Sequence, residues 1–187
     1  MRRGWHAWLA ACLGLLICTA WLLPAAARAE QPEFSEFGIL RNPDGLHVSF
    51  TVRFELPSGV EDALQKGVPL YFVAEAELYR DRWYWRDRRI NTTSKVWRVA
   101  YQPLTRKYRV TFGGLNQNFD SVDDALTAVR RVSNWKVAEA SQIESGSGHY
   151  VELSYRLDTT LLPRPMQIGI GGQPEWTLLI EKFHRVD

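Results

Sequence analysis

A single-domain antiparallel β-sandwich, mainly β with two short helices, is the fold this sequence predicts, and three observations carry it. Residues 46–56 alternate strictly, with Leu46, Val48, Phe50, Val52, Phe54 and Leu56 set against His47, Ser49, Thr51, Arg53 and Glu55; that is a strand with one buried and one wet face. The chain's 8 Trp, 7 Tyr and 8 Phe favour pleated, half-buried surfaces. Two segments carry helix-capping chemistry, but each is too short to build a helical core of its own.

Residues 1–29 read as a signal peptide rather than as part of that fold. Arg2 and Arg3 precede an uncharged apolar run over 9–23, and Ala27-Arg28-Ala29 gives the small-x-small cleavage pattern defined by Ala27 and Ala29. The run stops at Pro24, short of the roughly 20 residues that span a bilayer. A periplasmic protein released by cleavage is therefore expected, with an uncleaved inner-membrane anchor as the alternative, and membrane contact is transient and confined to the signal peptide. Cys12 and Cys18 both lie in that segment, so the mature chain has no disulfide partner and no thiolate chemistry in its oxidising compartment. Without Arg2, Arg3 and Arg28, the 23 basic residues fall to 20 against 21 acidic ones, a balance that gives no reason to expect nucleic acid.

Residues 30–187 are expected to form the single domain. Asn42-Pro43-Asp44-Gly45 is a turn sequence that joins a short apolar stretch at 37–40 to the alternating strand as an opening hairpin. Ser58-Gly59-Val60-Glu61 has capping-box form, with Gly67 as the left-handed stop. A long strand follows over 68–82, with Leu70, Phe72, Ala74, Ala76 and Leu78 on one face and Glu75 and Glu77 on the other. Strands are expected next at 95–101 and 108–112, the latter ended by Gly113-Gly114, then a helix capped by Ser121 and a strand at 135–143. After a turn at 144–148 come strands at 150–157 and about 176–183, separated by a Gly- and Pro-rich segment from Pro163. Gly59-Val-Glu-Asp-Ala-Leu64 echoes Ser121-Val-Asp-Asp-Ala-Leu126, and Val-Ala-Glu-Ala follows each, at 73–76 and 137–140. This is the pattern of an internal duplication near residues 58–79 and 121–143, although shared capping chemistry produces much of the same match.

The densest chemistry is Arg80-Asp81-Arg82-Trp83-Tyr84-Trp85-Arg86-Asp87-Arg88-Arg89. Read for function, Arg82 and Arg88 beside Trp83, Tyr84 and Trp85 recognise an anion or a partner surface. Read for structure, the tryptophans close one end of the core while Asp87 and its arginines pair across strands. His47, His149 and His184 stand apart in the sequence, so no metal site is expected. No nucleophile elbow or comparable catalytic motif occurs. Glu75 and Glu77 share a strand face, where a carboxylate pair is read as solvated rather than catalytic. Ile168-Gly169-Ile170-Gly171-Gly172 lacks the context of a dinucleotide site and reads as a bend or bulge, and Asn91-Thr92-Thr93 reads as a loop. No cofactor is expected.

Glu61-Asp62-Ala63-Leu64, Gly67-Val68-Pro69-Leu70-Tyr71-Phe72, Arg82-Trp83-Tyr84-Trp85 with Asp87-Arg88, Tyr101-Gln102-Pro103-Leu104, Gly113-Gly114-Leu115, and Leu157-Asp158 followed by Leu162-Pro163-x-Pro165 together resemble the exported proteobacterial family of domain of unknown function 4390. The resemblance supplies no catalytic residue. It implies an accessory role beside a membrane sensor kinase and marks Arg82, Trp83, Tyr84, Trp85, Asp87 and Arg88 as the positions to test. The function expected is a non-enzymatic periplasmic interaction module that engages the periplasmic region of a membrane signalling protein. The alternative is a binder of a small anionic or amphipathic envelope ligand in a tryptophan-floored pocket, and a hydrolase with a scattered site comes third.

Overall fold

Backbone pairing sorts the chain into two antiparallel sheets whose apolar faces meet. The computed structural model describes residues 31–81, 87–143, 148–170 and 172–186. Its strands are β1 (Glu33–Asn42), β2 (Gly45–Arg53), β3 (Leu70–Arg80), β4 (Arg88–Gln102), β5 (Lys107–Phe112), β6 (Leu115–Phe119), β7 (Arg131–Glu139), β8 (His149–Leu157) and β9 (Leu179–Val186). Helices α1 (Ser58–Gln65), α2 (Val122–Arg130) and α3 (Arg164–Ile170) lie between them. One sheet has the order β1-β2-β7 and the other β6-β5-β4-β3-β8-β9. The mainly β, antiparallel architecture expected from the alternation is thus what forms, with three α-helices among the described residues rather than two. None of these helices is long and apolar enough to cross a membrane.

The core lies between the sheets. Leu46, Val48, Phe50 and Val52 of β2 face Phe72, Ala74, Ala76 and Leu78 of β3 and Val151, Leu153 and Tyr155 of β8, all buried. Rings knit the two layers together: Phe54, just beyond β2, lies 5.4 Å from Phe72 and 5.9 Å from Tyr155. Each such side chain withdrawn from water contributes about 1.5–3 kcal/mol, so the strict alternation of β2 and β3 fixes which face of each strand turns inward.

Several local expectations hold and several need correcting. Asn42 pairs with Gly45 across the opening turn. Gly45, at φ 146, passes so close to β7 that a Cβ there would lie 2.0 Å from the Ala138 carbonyl oxygen. Ser121 caps α2, its Oγ accepting from the Asp124 N–H at 3.1 Å. In α1 Pro57, not Ser58, occupies the cap, and its carbonyl accepts from the N–H groups of Val60 and Glu61. Gly113 and Gly114, both at positive φ, end β5 as expected and form a tight hairpin turn into β6, a strand the sequence had not shown. β4 begins at Arg88 rather than near residue 95, so Asn91 lies in a strand, its amide donating to the Val137 carbonyl at 2.7 Å. Ile168, Gly169 and Ile170 belong to α3 instead of a bend or bulge. The two halves of the sequence echo lie in different sheets, α1 feeding β3 and α2 running without a loop into β7. The glycines and serines of the turn at 144–147 lie outside the described residues.

Candidate functional site

β3 sits inside the six-stranded sheet, paired to β4 on one side and β8 on the other. Its inner residues fill the core, which leaves Glu75, Glu77 and Tyr79 on the outer face. Register extends each of these into a row. Tyr79 lies opposite Arg89 and Tyr150, Glu77 opposite Thr92 and Glu152, and Glu75 opposite Ser94 and Ser154, while β9 adds Arg185, Phe183 and Glu181 beyond β8.

The aromatic members of this face form a ladder across three strands. Tyr79 stacks on Tyr150 at 5.1 Å and Tyr150 on Phe183 at 4.6 Å. Tyr150 is only 9% exposed, whereas Phe183 is 52% exposed, so the ladder runs from a half-closed interior out to solvent. Beside Phe183 lies a cleft of about 460 Å³ lined by Glu75, Glu77, Glu152, Ser154 and Glu181 among others.

The carboxylates of that cleft are of two kinds. Glu77 accepts from the Tyr79 hydroxyl at 2.8 Å and from Arg89 at 2.7 Å. The Tyr79 bond, helped by Arg89 and Thr92 and opposed by burial, holds its carboxyl below the usual range, and the same bond pushes the Tyr79 hydroxyl up. Glu75 pairs with Arg156 at 2.9 Å. The expectation that Glu75 and Glu77 are merely solvated is therefore corrected: each is engaged by an arginine from a neighbouring strand. Glu152 and Glu181 have no ion-pair partner among the described residues and, against Lys182 in the same lining, leave the cleft acidic on balance. Opposite Glu77, Glu152 is a like charge of the kind a sheet tolerates only when one partner is neutralised elsewhere, and Arg89 does that.

Of the residues singled out in the sequence, Arg82, Trp83, Tyr84 and Trp85, with Arg86, lie outside the described residues, as do Ala27 and Ala29. Of the two that are described, Asp87 joins this face, accepting from the Tyr150 hydroxyl at 2.8 Å, whereas Arg88, which opens β4 opposite Arg80, falls on the other side of its strand from Arg89. The segment over 80–89 is thus tied at its C-terminal side to the aromatic ladder. Sequence reasoning missed Tyr150, Phe183, Arg156, Glu152 and Glu181. The outward parity of Tyr150, Glu152 and Arg156 along β8 was the one available signal, and only strand register shows that these residues meet β3.

The histidines are scattered. His47 lies 3.5 Å from Asp44, His149 pairs in register with Arg80, and the His184 ring meets Phe37 at 5.4 Å with the planes tilted 56° apart. Among the described residues no group of three or more potential ligands could hold a metal ion. A buried strand framework presenting charged and aromatic side chains on an open face can bind by stacking and ion pairing.

No curated protein and no solved structure matches the chain. The family profile of the domain of unknown function DUF4390 matches residues 29–186, nearly the whole of the two-sheet domain and the face just described, and the chain belongs to that family.

Proposed function

We propose that this chain is an exported proteobacterial protein, cut after Ala29 by signal peptidase, that acts in the periplasm as a non-enzymatic interaction module. Its contact surface is the outer face of the six-stranded sheet, and its partner is the periplasmic region of a membrane signalling protein presenting a positively charged segment. The observation that carries this reading is the Tyr79–Tyr150–Phe183 ladder, which ends in a half-exposed Phe183 beside an acidic cleft. Tyrosine and phenylalanine anchors next to fixed charges supply contact energy and orientation in protein interfaces. Glu152 and Glu181, unpaired within the described residues, favour a cationic occupant, and Asp87 and Arg89 border the same face.

The test is photo-crosslinking in cells from positions 84 and 183. Capture of a membrane protein is expected from both sites, and capture is lost in Phe183→Ala, in Glu152→Lys and in the double variant Arg82→Ala with Arg88→Ala. Truncating the exposed Phe183 should change stability by no more than about 0.5 kcal/mol, so its thermal midpoint stays near that of the parent protein. Capture that persists in all of these variants would overturn the reading, as would loss of capture only in variants that have unfolded.

A further inference from the structure

The three-stranded sheet carries a separate recess on its own outer side, of about 380 Å³, where Arg53, Arg130 and Arg131 meet Ser35, Thr51 and Glu36. Local backbone geometry makes it. Helix α2 passes into β7 with no intervening residue, so Arg130 is the last helical residue and Arg131 the first extended one. Their consecutive guanidinium groups therefore leave the chain from different backbone geometries yet line one recess. In β1 the register skips Ser35 between Phe34 and Glu36, an irregularity of the kind that re-aims side chains at a sheet edge.

Arg130 is held in position before any ligand arrives. Its Nη2 donates to the Phe54 carbonyl at 2.6 Å, and its guanidinium lies 4.7 Å from the centre of the Phe54 ring. Its Nε is buried with no hydrogen-bond partner among the described residues. Arg131 is exposed and has no ion-pair partner among the described residues, while Arg53 at the rim is already engaged, with Glu33 at 3.9 Å among its contacts. The one carboxylate lining the recess, Glu36, is occupied by the Thr51 hydroxyl at 2.8 Å. An adjoining recess of about 170 Å³ shares Glu36, Thr51 and Arg131 and continues past Ser49 and Ser133.

We propose that this recess binds a phosphate carried on a hydroxylated group. Guanidinium forks match phosphate oxygens in pairs, and the prepositioned Arg130 with the exposed Arg131 outweighs Glu36. The hydroxyl-lined extension past Ser49 and Ser133 then takes the hydroxyl groups of the ligand, a combination that a bare anion leaves unused. A soluble polyol phosphate and the phosphoglycerol headgroup of an anionic phospholipid share this chemistry. The site lies in the opposite sheet from the protein-contact face and does not depend on it.

The test titrates glycerol 1-phosphate and inorganic phosphate into the protein by calorimetry. It also co-sediments the protein with phosphatidylcholine vesicles made with and without phosphatidylglycerol. Arg131→Glu is the disrupting variant, with Arg131→Gln as a milder second, and Arg109→Glu on the other sheet is the control with the same change in charge. Saturable binding of glycerol 1-phosphate, tighter than that of inorganic phosphate, should weaken about tenfold or more in both Arg131 variants and persist in Arg109→Glu. Sedimentation that needs phosphatidylglycerol and follows the same pattern identifies the lipid headgroup as the source; binding of the soluble ester alone identifies a free metabolite. No saturable binding in either arm, or equal loss in Arg131→Glu and Arg109→Glu, overturns the proposal.

Discussion

The inner and outer aromatic clusters of the described residues differ in which side of a sheet each faces. The inner one joins Phe50, Phe54, Phe72, Trp97 and Tyr155, all buried, with the Phe72 and Tyr155 rings 6.0 Å apart. The outer one is the ladder of Tyr79, Tyr150 and Phe183. Tyr150 and Tyr155 belong to the same strand, β8, and their odd separation sends them to opposite faces. The inner cluster is sealed by the second sheet and holds the fold. The outer ladder is open at Phe183 and bordered by paired and unpaired charges. Aromatic content alone therefore does not distinguish packing from recognition in this chain; strand parity does.

The sharpest way to break that distinction is to truncate one ring from the inner cluster. Phe72 is fully buried, and Phe72→Ala should cost about 3–5 kcal/mol, read as a fall in the denaturant midpoint with an unchanged slope. A loss below about 1 kcal/mol would mean that the inner rings are not what holds the sheets together. A finer cut is Tyr155→Phe. The Tyr155 hydroxyl donates to the Val129 carbonyl at 3.2 Å, in the last turn of α2, where carbonyls lack helical partners and no glycine closes the helix. Leaving that buried acceptor unsatisfied should cost about 1–3 kcal/mol. The measurement is equilibrium unfolding, and an unchanged stability would show the bond to be dispensable.

The same parity explains what was legible in the sequence. β2 and β3 were readable because each keeps an unbroken apolar face, set against polar residues along β2 and along the second half of β3. The start of β4, Arg-Arg-Ile-Asn-Thr-Thr-Ser-Lys, was not, because it is polar on both faces and held by backbone pairing to β3. β6 is Leu-Asn-Gln-Asn-Phe, mostly exposed, and it owes its strand geometry to the two glycines before it. α3 contains Pro165 and Gly169, residues that argue against a helix by propensity; Gln167, donating to the carbonyls of Thr160 and Leu162, anchors it. The site was legible only in part. Glu75 and Glu77 could be placed on one face, but Arg156 lies 81 residues from Glu75, and a contact that distant follows from sheet register rather than from any local spacing.

The smallest expected effect links the outer ladder to the charged segment. Burial first, and then the hydrogen bond to Asp87, push the Tyr150 hydroxyl well above its ordinary pKa of 10.0. A phenol that ionises later in the folded chain than in the unfolded one contributes stability that is complete below pH 10 and is lost as pH rises beyond it. Tyr150→Phe should therefore lower stability by about 0.5–1.5 kcal/mol at neutral pH through the lost bond. The gap to the parent protein should then narrow in thermal unfolding measured above pH 10, where the parent alone loses this contribution. Tyr155, whose pKa burial also raises, is present in both proteins and cancels from the comparison. A gap that stays constant across that range would show that the Tyr150 hydroxyl does not hold Asp87 to the ladder.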